Sequence, residues 1–365
     1  MAANYDLTAL AVKMVCPNNE IIADKVNGYP SIYAKIPKCK MSDLITGGSS
    51  NTHPAFIVNG QEVDAIYIGK YQAYNRDGIL YSLPGVDPYA PSSGGGLDAF
   101  VSKAAAAGHG FHEITAAEWG LLALWCKKNG FLPWGNNNYG KDSRESNYKA
   151  IPTYSSGDPL EINRVATGTG PLTWSHDKTA AGIFDLNGNV SEWVGGIRFV
   201  HGELQLLANN NAADSSHSQA AASAEWKAID ATSGDFVTPD GNGTTANSLK
   251  LSWGNSKWTW DTSIGTATTT YQSCTFVNVA ISANVSATAK EVLYAYALAP
   301  DDTSFDYEGD MFYAHSGEAE RGVHRGGDWG FGVDLGVFSL NADFDRSVSD
   351  TWLGGRSAYV EIPEI

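Results

Sequence analysis

Apolar residues near the start of the chain come in short runs, residues 7–15 and 29–36, set among the turn-formers Pro17, Asn18, Asn19, Gly28 and Pro30. Short strands are expected there. Gly47-Gly48-Ser49-Ser50-Asn51-Thr52 then has linker composition. It divides a small β-rich N-terminal module, residues 1–50, suited to attachment or oligomerisation, from a main domain over residues 51–365. Residues 55–63 read as a hairpin turning at Asn59-Gly60, a pair that tolerates the positive φ angles of a type I′ turn. Residues 65–71 read as a strand and residues 97–107 as a short helix. The clearest helix follows Thr115, which forms a T-x-x-E capping box with Glu118 ahead of Trp119, Leu122, Ala123 and Cys126 at helical spacing. Lys127 and Lys128 suit its negative end, and Gly130 closes it.

Residues 131–181, rich in Trp, Asn, Tyr, Gly and Pro, keep no period and read as extended loop. Asn187-Gly188 offers a further tight turn between apolar flanks. From about 200 to 320 the charge density is low, with strand-like pieces near residues 249–260 and 266–279 and a helix over residues 286–298. This segment reads as an insertion, because the units on either side of it make better sense as neighbours.

Residues 325–360 mix two kinds of position. Gly326, Gly327, Trp329, Gly332, Gly336, Val337, Phe338, Leu340, Gly354, Ser357 and Ala358 read as a framework of tight turns and short buried strands. Between them stand Asp328, Gly330, Phe331, Val333, Asp334, Asp343, Phe344, Val348, Asp350, Thr351 and Trp352, which share neither charge, size nor hydrophobic period. No single packing environment selects such a set. A regular frame with irregular contents points to a binding surface.

Composition narrows the partners. A net charge of −16 over 365 residues, with no basic run, would repel a phosphate backbone, so nucleic acid is not expected. No window holds the roughly 20 apolar residues that span a bilayer, and the first residues lack the basic start and apolar core of a secretory signal. Synthesis in the cytoplasm without membrane insertion is the expectation. Cys16, Cys39, Cys126 and Cys274 form no CxxC pattern, which argues against zinc or a redox pair and for buried free thiols. His109 and His112 lack a third ligand and read as a surface pair. Asp301, Asp302, Asp306, Glu308 and Asp310 read as acidic loops, and Glu118 and Glu192 as capping or bracing groups.

Ile114-Thr115-Ala116-Ala117-Glu118-Trp119, Gly188-Asn189-Val190-Ser191-Glu192-Trp193-Val194, Arg325-Gly326-Gly327-Asp328-Trp329 and Gly355-Arg356-Ser357 follow one another in that order. The series is similar to the formylglycine-generating-enzyme, or sulfatase-modifying-factor, branch of the C-type lectin fold. It covers about residues 55–200 and 320–360. The resemblance implies an α+β architecture with long loops. The oxidase of that branch uses paired cysteines near the C-terminal motif, and no cysteine follows Cys274 here, so a noncatalytic protein without a cofactor is expected. A divergent oxidase on the same fold is the alternative. The Glu-Pro-Asn, Gln-Pro-Asp and Trp-Asn-Asp runs that hold calcium in sugar-binding C-type lectins do not occur.

More narrowly, residues 325–360 resemble the variable region of proteins diversified by a diversity-generating retroelement, such as phage tropism determinants. In that family an error-prone copy of a template, altered at adenines, replaces the end of the gene. Asparagine codons then yield Asp, Gly, Phe, Val or Thr; Trp352 departs, since no asparagine codon reaches Trp that way. The resemblance implies that the eleven irregular residues are exposed ligand contacts, with Phe331, Phe344 and Trp352 as aromatic anchors. Asp328, Asp334, Asp343 and Asp350 then form an acidic face tempered by Arg346 and Arg356. The partner implied is a receptor, protein or glycan, on a foreign cell surface. The setting is a phage or prophage tail, with a homotrimer as the oligomer such proteins often form and a bacterial surface-displayed protein as the alternative.

Overall fold

The computed structural model describes residues 6–362. It is an α+β structure in which two sheets are closed by the last forty residues and a third is built from the middle of the chain. The first sheet runs in the order Asn19–Ala23, Pro30–Pro37, Ala65–Gly69, Ser357–Tyr359, Phe111–Glu113, all neighbours antiparallel. The second has the order Gln272–Thr275, Met311–Ala314, Leu340–Ala342, His324–Arg325, Ser191–Trp193, Leu353–Gly354. The third gathers strands from Ile197–Val200 to Ala280–Ile281.

Among the described residues five helices accompany the sheets: α1 Asp6–Val15, α2 Met41–Leu44, α3 Leu97–Ala105, α4 Ala116–Lys128 and α5 Ala287–Ala295. The capping box of α4 forms as expected, with Thr115 Oγ1 accepting from Glu118 N and Glu118 Oε2 accepting from Thr115 N. Because α4 lies between the sheets and α5, apolar residues all round it are buried, and no polar face is left. Gly120 permits the crossing: a Cβ there would stand 2.3 Å from the Ala295 carbonyl oxygen of α5. Ser286 caps α5 by accepting from Ala289 N. Asn59 and Gly60 take φ 54° and 73°, the left-handed pair that a two-residue hairpin requires.

Three sequence expectations are revised. Residues 7–15 are helical, since Leu7, Leu10 and Met14 recur at helical rather than alternating spacing, and most of their side chains face solvent. The expected module over residues 1–50 is not separate in its described part, residues 6–50. Pro30–Pro37 pairs along its length with Ala65–Gly69, Tyr33 and Ile36 are buried, and the linker-like Ser49 donates from N and Oγ to Glu291 of α5. The 200–320 segment is likewise not a detachable insertion: Gln272–Thr275 and Met311–Ala314 belong to the second sheet, and α5 packs on α4. Residues 131–181 carry one hairpin, Pro152–Ser156 with Glu161–Val165, within the expected loop. No helix among the described residues is long and apolar enough to cross a membrane.

Candidate functional site

The C-terminal segment is anchored before it is decorated. Gly326 and Gly327 have φ 83° and 71°, and a Cβ on Gly327 would meet Leu335 Cβ at 2.3 Å, so the turn after His324–Arg325 requires glycine. Trp119 Nε1 of α4 donates to Val337 O at 2.8 Å, and Phe338 packs against Phe276 and Tyr307. At the far end Arg356 is fully buried. It donates to Glu192 and to the carbonyls of Gly69, Phe184 and Asp185, while Ser357 Oγ bonds Tyr33 Oη. Of the eleven framework positions, all but the half-buried Gly332 are buried.

The eleven irregular positions divide differently. Gly330, Phe331, Val333 and Asp334 are exposed, the two apolar ones by 49 % and 51 %. Asp343, Phe344, Val348, Asp350, Thr351 and Trp352 are half-buried. Phe344, Val348 and Trp352 rest on a cluster that includes Leu97, Phe100 and Leu353, so they are not freely exposed anchors. Asp328 departs from the expectation of an exposed contact: it is only 5 % exposed, and its Oδ1 accepts from Gly330 N at 2.9 Å, closing a short turn. Burial pushes its carboxyl up to about 7, and the nearby charge of Asp350 acts in the same direction. Arg356 does not temper the acidic face, since it lies inside the protein; Arg346 is committed to Asp98, Glu320 and the Gln219 carbonyl.

Six of the eleven, Asp328, Gly330, Phe331, Asp343, Phe344 and Trp352, line one cleft of about 450 Å³. The other walls are Tyr139, Tyr271, Tyr313, Trp329 and Leu335, and Ser191, His324 and Asn341 also face it. Val333, Asp334, Val348, Asp350 and Thr351 do not line it. No sequence pattern marks Tyr139, Tyr271 and Tyr313 as one set; the aromatic richness of residues 131–181 signals the first alone. His324 forms a mutual contact with Phe344 and Trp352, with ring centroids 5.5–5.7 Å apart. Its Nδ1 lies 2.7 Å from Ser191 Oγ, its Nε2 has no partner, and burial pushes its imidazole down to about 3.

Elsewhere, His112 is not a surface residue: it is buried, 2.9 Å from Glu118 Oε1 and 2.9 Å from the Gly110 carbonyl. His109 is exposed. Asp310 is not a solvated loop acid. Its Oδ2 accepts from Phe338 N at 2.7 Å inside the core, and burial pushes it up to about 8. Cys16, Cys126 and Cys274 are buried free thiols and Cys39 is half-buried. No group of three or more metal-ligating side chains occurs among the described residues. Comparison with known proteins finds no matching family model and no matching curated protein.

Proposed function

We propose that this chain is a noncatalytic binding protein on the formylglycine-generating-enzyme branch of the C-type lectin fold, with a ligand face diversified by a retroelement. The setting we infer is the tail of a phage or prophage, where the face meets a receptor, protein or glycan, on a foreign cell. What carries this reading is the split in burial within residues 325–360: the regular positions hold the fold, and the irregular ones, Asp328 apart, reach solvent. Side chains that change from copy to copy must sit where replacement leaves stability intact, since large-to-small changes in a core cost about 2–5 kcal/mol. The cleft adds a place for a ligand, and the absence of cysteine after Cys274 fits binding without oxidation.

The experiment is a combined exchange of Phe331, Phe344 and Asp350, read by receptor adsorption and by melting. Lost adsorption with little change in melting is expected; adsorption unaffected by the exchange overturns the assignment of the face. Sequencing the gene's surroundings tests its origin. A near-copy of the 3′ end beside a reverse-transcriptase gene, differing at template adenines, is expected, and a unique 3′ end counts against diversification.

A further inference from the structure

We propose that the cleft lined by Phe344, Trp352, Asp328 and Asp343 takes an organic cation, an ammonium or guanidinium group carried by the receptor. Resting on the reading of this surface as a ligand face, the assignment adds the chemistry of what enters it.

Aromatic side chains wall the cleft, and ring faces carry the negative end of a quadrupole that attracts ammonium and guanidinium groups. Among the described residues the charged groups on the lining are two acids, Asp328 and Asp343, and no lysine or arginine. Neighbouring cations are occupied elsewhere. Arg321, whose charge reaches Asp343, is held by Glu318 at 3.3 Å, and Arg346 by Asp98 and Glu320. With −16 on the whole chain, the local field disfavours phosphate, sulfate or carboxylate ligands.

A second, independent feature lies in the wall. His324 is only 4 % exposed and its Nε2 meets no hydrogen-bonding partner. Ser191 has one hydroxyl hydrogen, so the tautomer that makes both of its contacts is the one in which that hydrogen goes to the Arg325 carbonyl at 3.2 Å and Nδ1–H of His324 donates to Ser191 Oγ at 2.7 Å; we assign that tautomer. That arrangement satisfies both contacts and leaves Nε2 as an unmatched lone pair. A buried acceptor without a donor is costly, and His324 lines the cleft, so a ligand whose N–H displaced the wall enough to reach Nε2 would relieve that cost. Asp328 has the same need, because it lies almost out of water with no counter-cation.

A bound cation would also favour ionised Asp328, so affinity should rise with pH through its titration near 7. The other titratable groups on the lining are Asp343, His324 and the three tyrosines, with Asp350 close to Asp328.

Calorimetric titration of the full chain tests this with tetramethylammonium, N-acetyl-lysine amide, N-acetyl-arginine amide and glucosamine, against N-acetyl-norleucine amide and N-acetylglucosamine as neutral counterparts. Saturable binding of a cationic probe, about tenfold or more tighter than its neutral counterpart, is expected. D343N, at the half-buried rim, should weaken that binding while melting stays near wild type; D328N should weaken it too, compared at a pH above about 7 where its effect on stability is flat. Lysine or arginine amide binding best identifies a basic side chain as the source; glucosamine binding best identifies an amino sugar. Neutral probes binding equally well, no probe binding, or affinity unchanged in both variants overturns the cation assignment. Those results leave the ligand face standing if the Phe331, Phe344 and Asp350 exchange still abolishes adsorption.

Discussion

Arg356 and Glu192 form a two-point ion pair inside the protein, Nε to Oε2 at 2.8 Å and Nη2 to Oε1 at 2.6 Å, joining the last strand of the first sheet to the second sheet. Three backbone carbonyls accept further bonds from the same guanidinium, so all three of its nitrogens are engaged. Removing one member leaves a buried charge alone, which costs about 3–5 kcal/mol. R356A and E192A should each lower stability by that amount in urea titrations. R356K should recover little of the loss, because an ammonium cannot bridge both oxygens and three carbonyls at once.

Framework and face should separate in a truncation series. F338A and V337A remove fully buried side chains and should cost about 2–5 kcal/mol. F331A and V333A, on exposed side chains, should stay within about 0.5 kcal/mol. Equal losses in the two groups, measured by urea unfolding, would contradict the division.

Asp328 should leave a signature in the pH dependence of stability. Its folded-state value is raised to about 7 from an ordinary 3.8, so between those values the native state keeps a proton that the unfolded chain has lost. Its contribution to stability therefore falls as pH rises through that window and is flat above it. His324 and His53, pushed down to about 3 and about 4, act oppositely: their contribution falls away as pH drops below 6.5. The difference between wild type and D328N isolates the carboxyl, and it should decline from pH of about 4 to about 7.

Gly120 sets helix propensity against packing. Alanine is the better helix former by about 1 kcal/mol, yet its Cβ would lie 2.3 Å from the Ala295 carbonyl. Packing should win, because overfilling a close contact costs about 1–3 kcal/mol and here the obstacle is backbone. G120A should melt below wild type.

Deletion distinguishes the N-terminal elements. Removing residues through Val15 takes away a helix whose Leu7, Leu10, Met14 and Val15 are exposed, and the remainder should fold with near-native circular dichroism. Removing residues 1–50 strips two strands from the first sheet and should give an unfolded or aggregating product.

Elements with local chemistry were legible in the chain: the Thr115–Glu118 box, the Asn59-Gly60 turn and the helix capped by Ser286 each carry their cause within a few residues. Long-range pairing was not. The Gly47-to-Thr52 run looks like a linker because nothing in it signals Glu291, more than two hundred positions away. The cleft shows the same limit. Its C-terminal wall stood out as irregular contents in a regular frame, whereas Tyr139, Tyr271 and Tyr313 arrive from other segments through sheet topology. Burial of Asp328 is not legible in the chain, because a lone aspartate between glycines and aromatics reads as solvated.

The position of Ser357–Tyr359, hydrogen-bonded on both sides by Ala65–Gly69 and Phe111–Glu113, bears on how the protein is made. On the ribosome these two early strands lack their middle neighbour until residues 357–359 have been made. A premature stop or a shifted reading frame within residues 325–360 would deprive them of their middle neighbour and Glu192 of Arg356. Such products would lack a strand of the first sheet and the buried partner of Glu192, so both sheets depend on an intact reading frame through residues 325–360.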